Sequence, residues 1–395
     1  MDPYASAPED LRPYSRTTPY YKHYTKTVEY NGPGRDIPTP ELKDITEVPI
    51  GFLGPIKDHR DEALGKMMLN GATLAVEEAN AAGGYGGKPF HLLVHNDSAV
   101  WGASSNEIVK MAYEENVWAL LGSIDPNTTH IALRVSLKSE VPIVNTASTD
   151  PTLPETTIPW LLTAIQDDRE QGYTLARRVI TERGLNRVAL LRVNDTYGRF
   201  GNGKFKDAVR RLGHPLALEQ RFMPGDTDFH RQLRVIQESN IDAVVLWADQ
   251  LPAGTILKQM REMGMKQPVF GAYRVYGSEM LRIAGAAAEG LEFVFPYDPT
   301  RGDPAWIAFN QRFTKRFGQP PETFASLGYD GMRMLLDSIC RAGLNRARIR
   351  DVFYGMESFH GVTGDQVFDP NAKNITPLYL GVVRDGKAAF RREPM

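Results

Sequence analysis

The chain has 395 residues, 42% of them hydrophobic, a single cysteine and a formal net charge of −2. This length predicts about two domains, and the near-neutral charge provides no basic surface for nucleic acid or an anionic membrane. One cysteine excludes an intrachain disulfide, a CxxC redox pair and a thiolate metal cluster. Because Cys340 follows the apolar residues Leu336 and Ile339, we expect it to be a buried small hydrophobe.

Residues 1–47 have an unusual composition, in which tyrosines alternate with prolines and aliphatic residues are scarce. The tyrosines are Tyr4, Tyr14, Tyr20, Tyr21, Tyr24 and Tyr30. Such a segment cannot form its own core, so it is either a disordered leader or an arm whose tyrosines lie against the folded body. The tyrosine density favours partial docking. These residues show neither a secretion-signal pattern nor a lipobox cysteine, and no apolar run in the chain reaches the length of a membrane helix.

The segment from Val48 to Gly87 predicts a strand, a polar loop and an amphipathic helix. An apolar run from Val48 to Leu53 ends at Gly54-Pro55, which is typical of a buried parallel strand. Small and apolar residues then recur at 4, 3 and 4 spacing, namely Leu64, Met68, Gly71 and Ala75. Gly83-Gly84 provides a left-handed helix end. One face of this helix is therefore expected to pack against a sheet.

Strand and helix patterns alternate from residue 48 almost to the end of the chain. Predicted strands are 48–53, 90–96, 118–121, 141–145, 160–164, 187–192, 243–247, 268–271, 291–296 and 378–383. Predicted helices include 104–116, 171–183, 199–212, 228–239, 252–263, 303–317 and 324–342. Strands separated by such helices form right-handed βαβ units. Since the pattern restarts near residue 168, the sequence predicts an α/β protein with two doubly wound, Rossmann-like lobes.

The opening of the folded region resembles that of the type I periplasmic solute-binding proteins. The resemblance lies in the order of three segments: the loop after Pro55, the stretch NGATLAVEEANAAGGYGGKPF and a second strand at 90–96. The resemblance is to the branched-chain amino acid (Leu/Ile/Val) group of ABC transporters. It implies discontinuous lobes joined by a three-segment hinge. Lobe 1 would comprise 48–167 and 297–372, lobe 2 would comprise 168–296 and 373–395, and residues 1–47 would form an N-terminal arm.

Ligands of open α/β sheets bind beyond the carboxyl ends of the strands, so the loops that follow strands are the candidate sites. The first such loop carries Ser123, Asp125 and Asn127. The resemblance implies that this loop holds a ligand carboxylate through a serine hydroxyl and helix N-terminal amides, but Pro126 or Asn127 stands at the serine position. The alternative is that Asp125 only caps its helix, and a capping carboxylate would oppose an anionic ligand group.

The second candidate loop contains Ala147, Ser148 and Thr149. The resemblance implies that the backbone carbonyl of Ala147 and the hydroxyl of Thr149 contact the ligand's amino and carboxyl groups. Small residues also allow the ligand to approach the backbone closely. The alternative is a hydrogen-bonded turn that involves Ser148, Thr149 and Asp150 only.

On lobe 2, Tyr197 lies in a loop similar to the Asp-x-x-Tyr-Gly of the family. The resemblance implies that this tyrosine closes over the ligand. Asp249, Tyr273 and Arg274 match two further loops by position and not by identity. Tyr273 and Arg274 occupy the place where amino acid binders present a carboxylate to the ligand's ammonium. Asp249 or Asp125 could instead pair with a cationic group, and Arg274 could hold a carboxylate. The alternative for each of these residues is an ordinary surface position without a role in ligand binding.

The resemblance implies a solute-binding component that captures an amino acid, amide or small organic acid in the cleft between the lobes by hinge closure. We expect a monomer with no cofactor, no bound metal and no catalytic residue, located in the periplasm and in transient contact with a membrane ABC permease. The alternatives are a cytoplasmic sensor of the same fold and an α/β enzyme. No GxGxxG follows the first strand, and GxxxxGK[ST], GxSxG and HExxH do not occur. His91 and His95 share a strand face but have no predicted third metal ligand.

Overall fold

The computed structural model describes residues 28–98 and 101–392, which divide into two compact units. The first unit contains the described residues up to Ile165 together with Arg301–Thr376. The second contains Gln166–Thr300 and the described residues from Pro377 onward. The chain therefore passes between the units after Ile165, after Thr300 and after Thr376.

The first unit is built on a five-stranded, fully parallel sheet with the order β2-β1-β3-β4-β5. Its strands are β1 (Val48–Gly54), β2 (Phe90–Asn96), β3 (Leu120–Gly122), β4 (Ile143–Asn145) and β5 (Leu161–Thr163). Its first helices are α1 (Glu62–Ala81), α2 (Trp101–Val109, continued as a π-helix over Lys110–Glu114), α3 (Pro126–Ser139) and α4 (Thr152–Glu155). This strand order reverses between β1 and β3, the type of switch point where doubly wound sheets bind ligands.

The second unit repeats the same order in its parallel strands, β7-β6-β8-β9-β10. These strands are β6 (Val188–Val193), β7 (Leu218–Phe222), β8 (Ala243–Trp247), β9 (Val269–Gly271) and β10 (Glu292–Phe295). The helices are α5 (Asp168–Ala176, with a π-helix over Arg177–Glu182), α6 (Thr196–Arg211), α7 (His230–Glu238), α8 (Gln250–Glu262) and α9 (Ser278–Ala284). The switch point of this sheet lies between β6 and β8.

After β10 the chain returns to the first unit and then ends in the second. The returning elements are α10 (Pro304–Phe317), α11 (Thr323–Ala342), α12 (Arg346–Tyr354) and the hairpin β11 (Ser358–Gly361) and β12 (Gly364–Val367). The final antiparallel strands are β13 (Tyr379–Arg384) and β14 (Lys387–Arg392), which extend the second sheet to seven strands. The predicted α/β class with two doubly wound sheets is confirmed.

Glycines allow α1 and α11 to pack closely in the first unit. A Cβ on Gly71 would lie 2.0 Å from the carbonyl oxygen of Ala325, and one on Gly328 would lie 2.5 Å from that of Met68. Gly83 and Gly84, which follow α1, have φ values of +106° and +62°, as the predicted left-handed helix end requires.

The expectation that Cys340 is buried is wrong, because the residue is exposed. Leu336 and Ile339 are buried on the inner face of α11, whereas Asp337, Cys340 and Arg341 lie on its outer face. One residue advances the helix by about 100°, so a cysteine next to a buried isoleucine can point to solvent.

The described part of the N-terminal arm docks on the first unit. Tyr30 is 9% exposed, contacts the Trp160 ring edge-on at a centroid distance of 4.8 Å and donates a hydrogen bond to Glu140 at 2.6 Å. Arg35 forms a bidentate salt bridge with the Asp351 carboxylate, with N–O distances of 2.6 and 2.8 Å. The other tyrosines on which the docking prediction depends, Tyr4 to Tyr24, lie outside the described residues.

Candidate functional site

The first unit presents the loops after β2, β3 and β4 at the carboxyl edge of its sheet. Asp125 is the N-cap of α3, and its side chain accepts a hydrogen bond from the Thr128 amide at 3.0 Å. Burial raises the pKa of this carboxyl, and the neighbouring carboxylates of Asp97 and Asp61 raise it further. Asn127, in the first turn of α3, is exposed.

Asp97, directly after β2, organises this edge and was missed by the sequence analysis. Its fully buried carboxylate accepts hydrogen bonds from the hydroxyls of Ser104 at 2.9 Å, Ser123 at 2.5 Å and Thr128 at 2.8 Å. The Ser123 hydroxyl is therefore already engaged in fixing the loop, and its contact with a ligand stays a prediction. The signal that could have identified Asp97 is its position one residue after a predicted strand.

The loop after β4 is shaped by Asn145. Its amide nitrogen donates to the Ser148 carbonyl at 2.8 Å, and its amide oxygen accepts from the backbone N–H of Ala147 at 3.2 Å and of Ser148 at 2.9 Å. These bonds hold Ala147, Ser148 and Thr149 in a buried turn. The hydroxyls of Thr146 and Ser148 are buried without a hydrogen-bond partner among the residues that the structure describes. Next to them, Asp150 contacts His130 Nε2 at 2.9 Å.

In the second unit, Tyr197 lies in the first turn of α6, after β6. Asp195 caps this helix and accepts a hydrogen bond from the Gly198 amide at 2.7 Å. Tyr197 is 3% exposed, and its hydroxyl has no hydrogen-bond partner within the described part of the chain. Burial raises the pKa of this phenol well above its usual value, so the hydroxyl keeps its proton and can donate.

Arg274, in the short 3-10 helix Tyr273–Val275, connects the other predicted residues of the second unit. Its guanidinium carbon lies 4.2 Å from the centroid of the Tyr197 ring, and its Nε donates to the Tyr273 hydroxyl at 3.3 Å. Its Nη1 is 3.4 Å from Asp249 Oδ1. The structure therefore brings Tyr197, Asp249, Tyr273 and Arg274 together in one cluster.

Three further side chains complete this cluster. The Trp247 ring lies 6.1 Å from the Tyr197 ring, and its indole N–H has no partner among the described residues. Gln171 accepts a hydrogen bond from the Tyr273 amide and donates one to Asp168, both at 3.3 Å. Asp168 is 1% exposed and contributes negative charge near Tyr197. Asp168 and Gln171 lie at the start of α5, and their position shortly after the predicted strand 160–164 is the signal that could have identified them.

No group of three or more histidine, cysteine, aspartate or glutamate side chains in residues 28–98 and 101–392 could hold a metal ion. His91 pairs with Glu47 at 2.7 Å, while His95 lies between Glu107 and Glu115. The same residues contain no helix that is both apolar and long enough to cross a bilayer.

Residues 47–388 match the sequence profile of the periplasmic binding protein family, and the chain belongs to this family. It is 25% identical over 349 residues to Leu/Ile/Val-binding protein homolog 2 of Brucella abortus, which covers 87% of this chain and 92% of that protein. These comparisons agree with the two doubly wound sheets and confirm the family resemblance.

Solved structures show the same architecture. The branched-chain amino acid transporter substrate-binding protein LivJ of Streptococcus pneumoniae, in complex with isoleucine, superposes with a TM-score of 0.79 at 25% identity, over 88% of this chain and 99% of that one. A solute-binding protein of an ABC transporter from R. palustris, in complex with benzoate, gives a TM-score of 0.78 over 88% and 96% of the two chains. Its identity is 17%, so this second likeness concerns the fold alone.

Proposed function

We propose that the protein is the solute-binding component of an ABC importer and captures a small polar solute reversibly, without making or breaking a covalent bond. Family membership supports this proposal, as do relatives whose names describe binding of branched-chain amino acids. In the proposal both units contact the same solute, and solute binding stabilises a closed arrangement by rotation about the three connecting segments.

The observation that carries the proposal is a set of buried, unpaired hydroxyls beside the strand ends of both sheets. They belong to Thr146 and Ser148 in the first unit and to Tyr197 in the second. A buried polar group left without a partner costs about 1–3 kcal/mol, so a polar solute that bonds to these hydroxyls would recover stability. The proposed contacts are Ser123, Asp125, Asn127, Ala147, Ser148, Thr149, Tyr197, Asp249, Tyr273 and Arg274.

A thermal-shift screen with amino acids, amides and small carboxylates tests solute capture, followed by mass spectrometry of any hit after incubation. We expect a rise in melting temperature and an unchanged compound. Ser148→Ala should reduce the shift, whereas Ser338→Ala should not, although it also deletes a buried unpaired hydroxyl in the first unit. Turnover of the hit, or an equal effect of the two variants, would contradict the proposal.

We also propose that leucine, isoleucine and valine do not bind in the manner usual for this group. By the family resemblance, Tyr273 and Arg274 stand where a carboxylate would meet the ligand's ammonium, and Pro126 or Asn127 stands where a serine would meet its carboxylate. Loss of a charged partner for a buried ammonium should weaken binding by about 2–5 kcal/mol. Calorimetry with the three amino acids checks this, and tight leucine binding would mean that Asp125 or Asp249 pairs with the ammonium instead.

The proposed location is the periplasm, with a membrane permease as the transient partner. Osmotic-shock fractionation of cells that express the full chain tests the location directly. Release with the periplasmic fraction is the expected result. Retention with cytoplasmic markers would favour the alternative of a cytoplasmic ligand sensor.

A further inference from the structure

We propose that the solute carries a carboxylate, and that the second unit binds this group through the Arg274 guanidinium with the Tyr197 hydroxyl as a second donor. This inference rests on the proposed function and adds the chemical class of the solute and its orientation. It would reverse the polarity that the family resemblance implies, in which the first unit receives the carboxylate.

Arg274 has the chemistry and the fixed orientation that carboxylate recognition needs. Its planar guanidinium can donate two parallel hydrogen bonds to one carboxylate, and this charge cannot be lost by deprotonation. The side chain is 3% exposed, its guanidinium carbon lies 4.2 Å from the Tyr197 ring centroid, and its Nε donates to the Tyr273 hydroxyl. Because these contacts hold the guanidinium in place, little conformational freedom remains to be lost when an acid binds.

The Tyr197 hydroxyl favours an anionic group at the same place, independently of the charge on Arg274. It is buried, it has no hydrogen-bond partner within the described residues, and it belongs to the side chain on which Arg274 stacks. Burial raises the pKa of this phenol, so at neutral pH it is a donor and suits an anionic acceptor. An oxyanion held by Arg274 would satisfy it.

Asp249 is a carboxylate beside Arg274 that the solute would have to replace or share. Its Oδ1 lies 3.4 Å from Arg274 Nη1, longer than the 2.7–2.9 Å or so that is usual for a charge-assisted hydrogen bond. The Asp249 side chain is also partly exposed. A solute carboxylate that forms a better bond can therefore compete with this pair.

The first unit disfavours an anion at the place where the resemblance implies one. The N-terminus of α3 is capped by the Asp125 carboxylate, and Pro126 removes one of its backbone N–H donors. The fully buried Asp97 carboxylate lies close enough to Asp125 to raise its pKa. A solute carboxylate here would face two negative groups, whereas in the second unit the Arg274 cation stands beside the Asp249 and Asp168 carboxylates and can attract an anion.

Titration calorimetry with matched compounds tests the class of solute. The probes are 4-methylpentanoate, 4-methylpentanamide and 3-methylbutylamine, and the aromatic series benzoate, benzamide and benzylamine. In at least one series the acid should bind about tenfold or more tightly than its amide and its amine. Tighter binding of an amide or amine, or an acid preference below tenfold, would overturn the inference and leave solute capture intact. No binding in either series would count against the proposed function as well.

Binding of the acid that is preferred in this screen is then measured with variants of the proposed site. Arg274→Gln should weaken acid binding by about 30-fold or more and abolish the preference over the amide, while Arg274→Lys should retain part of it. Tyr197→Phe should weaken binding of the acid by about 5-fold and binding of the amide by less. Arg282→Gln, which removes an exposed arginine of the same unit, is the matched control. Unchanged acid binding by folded Arg274→Gln would refute the assignment.

Because Arg274→Gln removes a buried charge and can impair folding, Asp249→Asn provides a second test. It removes a carboxylate that competes for Arg274, so acid affinity should rise by about 3-fold or more. Asp385→Asn makes the same change of charge in an exposed turn of the second unit and should leave affinity unaltered. Weaker acid binding by Asp249→Asn would show that Asp249, and not Arg274, contacts the solute.

Discussion

Gly201 on α6 is a residue at which a single methyl group should matter. A Cβ at this position would lie 1.9 Å from Cε2 and 2.2 Å from Nε1 of Trp247, whose ring is fully buried. The ring cannot shift without disturbing Tyr197, its neighbour at 6.1 Å. The absence of a side chain at Gly201 therefore positions both aromatic groups of the candidate site.

We predict that Gly201→Ala destabilises the protein by about 1–3 kcal/mol, because overpacking of a buried ring outweighs the higher helix propensity of alanine. Chemical denaturation monitored by tryptophan fluorescence measures the change. Gly203→Ala on the same helix is the control, since a Cβ there meets nothing within 4 Å, and it should be neutral or stabilising. Equal effects of the two substitutions would contradict the packing argument.

At the scale of elements, Arg346 at the start of α12 links three backbone segments of the first unit. It donates hydrogen bonds to the carbonyls of Val117 at 3.0 Å, Ser139 at 2.9 Å and Ala112 at 2.9 Å. Ser139 ends α3 and Ala112 lies in the π-helix that follows α2, so a cation here also meets carbonyls near helix ends.

Arg346→Met should destabilise the first unit by about 3 kcal/mol, because three carbonyls lose a charged donor while the aliphatic packing is kept. Differential scanning calorimetry provides the measurement. Arg341→Met, at an exposed position of α11, should change the melting temperature little. A loss no larger than that of Arg341→Met would show that water replaces the arginine at no cost.

The docked arm provides a second prediction for an element. Tyr30→Ala should destabilise the first unit by about 3 kcal/mol, since it removes the ring packed on Trp160 together with two hydrogen bonds. Tyr30→Phe keeps the ring and loses only the bonds with Glu140 and the Gly34 amide, and it should cost about 1 kcal/mol. Arg35→Ala breaks a half-exposed ion pair and should lower stability by less than Tyr30→Ala does. Thermal melts of the full chain rank the three, and a neutral Tyr30→Ala would show that the arm is not held by its tyrosine.

At the scale of the whole molecule, buried phenols should make the fold sensitive to alkali. Burial raises the pKa of Tyr354 to about 12 and that of Tyr329 to about 12, with the Tyr329 hydrogen bond to Glu78 adding to the shift. An unfolded tyrosine loses its proton near pH 10. The folded state therefore retains protons that the unfolded state releases, so this stability is present below pH 10 and is lost as pH rises towards 12.

We predict that the free energy of unfolding falls between pH 10 and pH 12 by up to about 1.4 kcal/mol per pH unit for each retained proton. Urea titrations at pH 9, 10 and 11 measure this slope. Tyr354→Phe should make this slope shallower by the contribution of about one retained proton. Tyr113→Phe, at a half-exposed position, should leave the slope unchanged. Stability that is independent of pH over this range would be inconsistent with phenols held in their neutral form.

Much of the fold was predictable because it depends on local patterns. The alternation of apolar strands with amphipathic helices identified two doubly wound sheets, and the predicted strands agree with β1–β6, β8–β10 and β13 within a few residues. The elements missed were β7, the hairpin β11–β12, β14, α12 and the short helices α4 and α9. Most of them are short and carry several polar or charged residues, so their sequences show little of the apolar periodicity on which prediction depends.

In the candidate site, local sequence patterns were enough to identify the loops that follow strands, and hence to place Tyr197, Asp249 and the stretch from Ala147 to Thr149 at sheet edges. The contacts of these side chains became visible only in the folded chain. Asp97 engages the Ser123 hydroxyl, and Arg274 stacks on Tyr197, a residue 77 positions earlier in the chain. Strand and helix propensities are local, whereas hydrogen bonds and ring contacts join residues that only the completed parallel sheet brings to one edge.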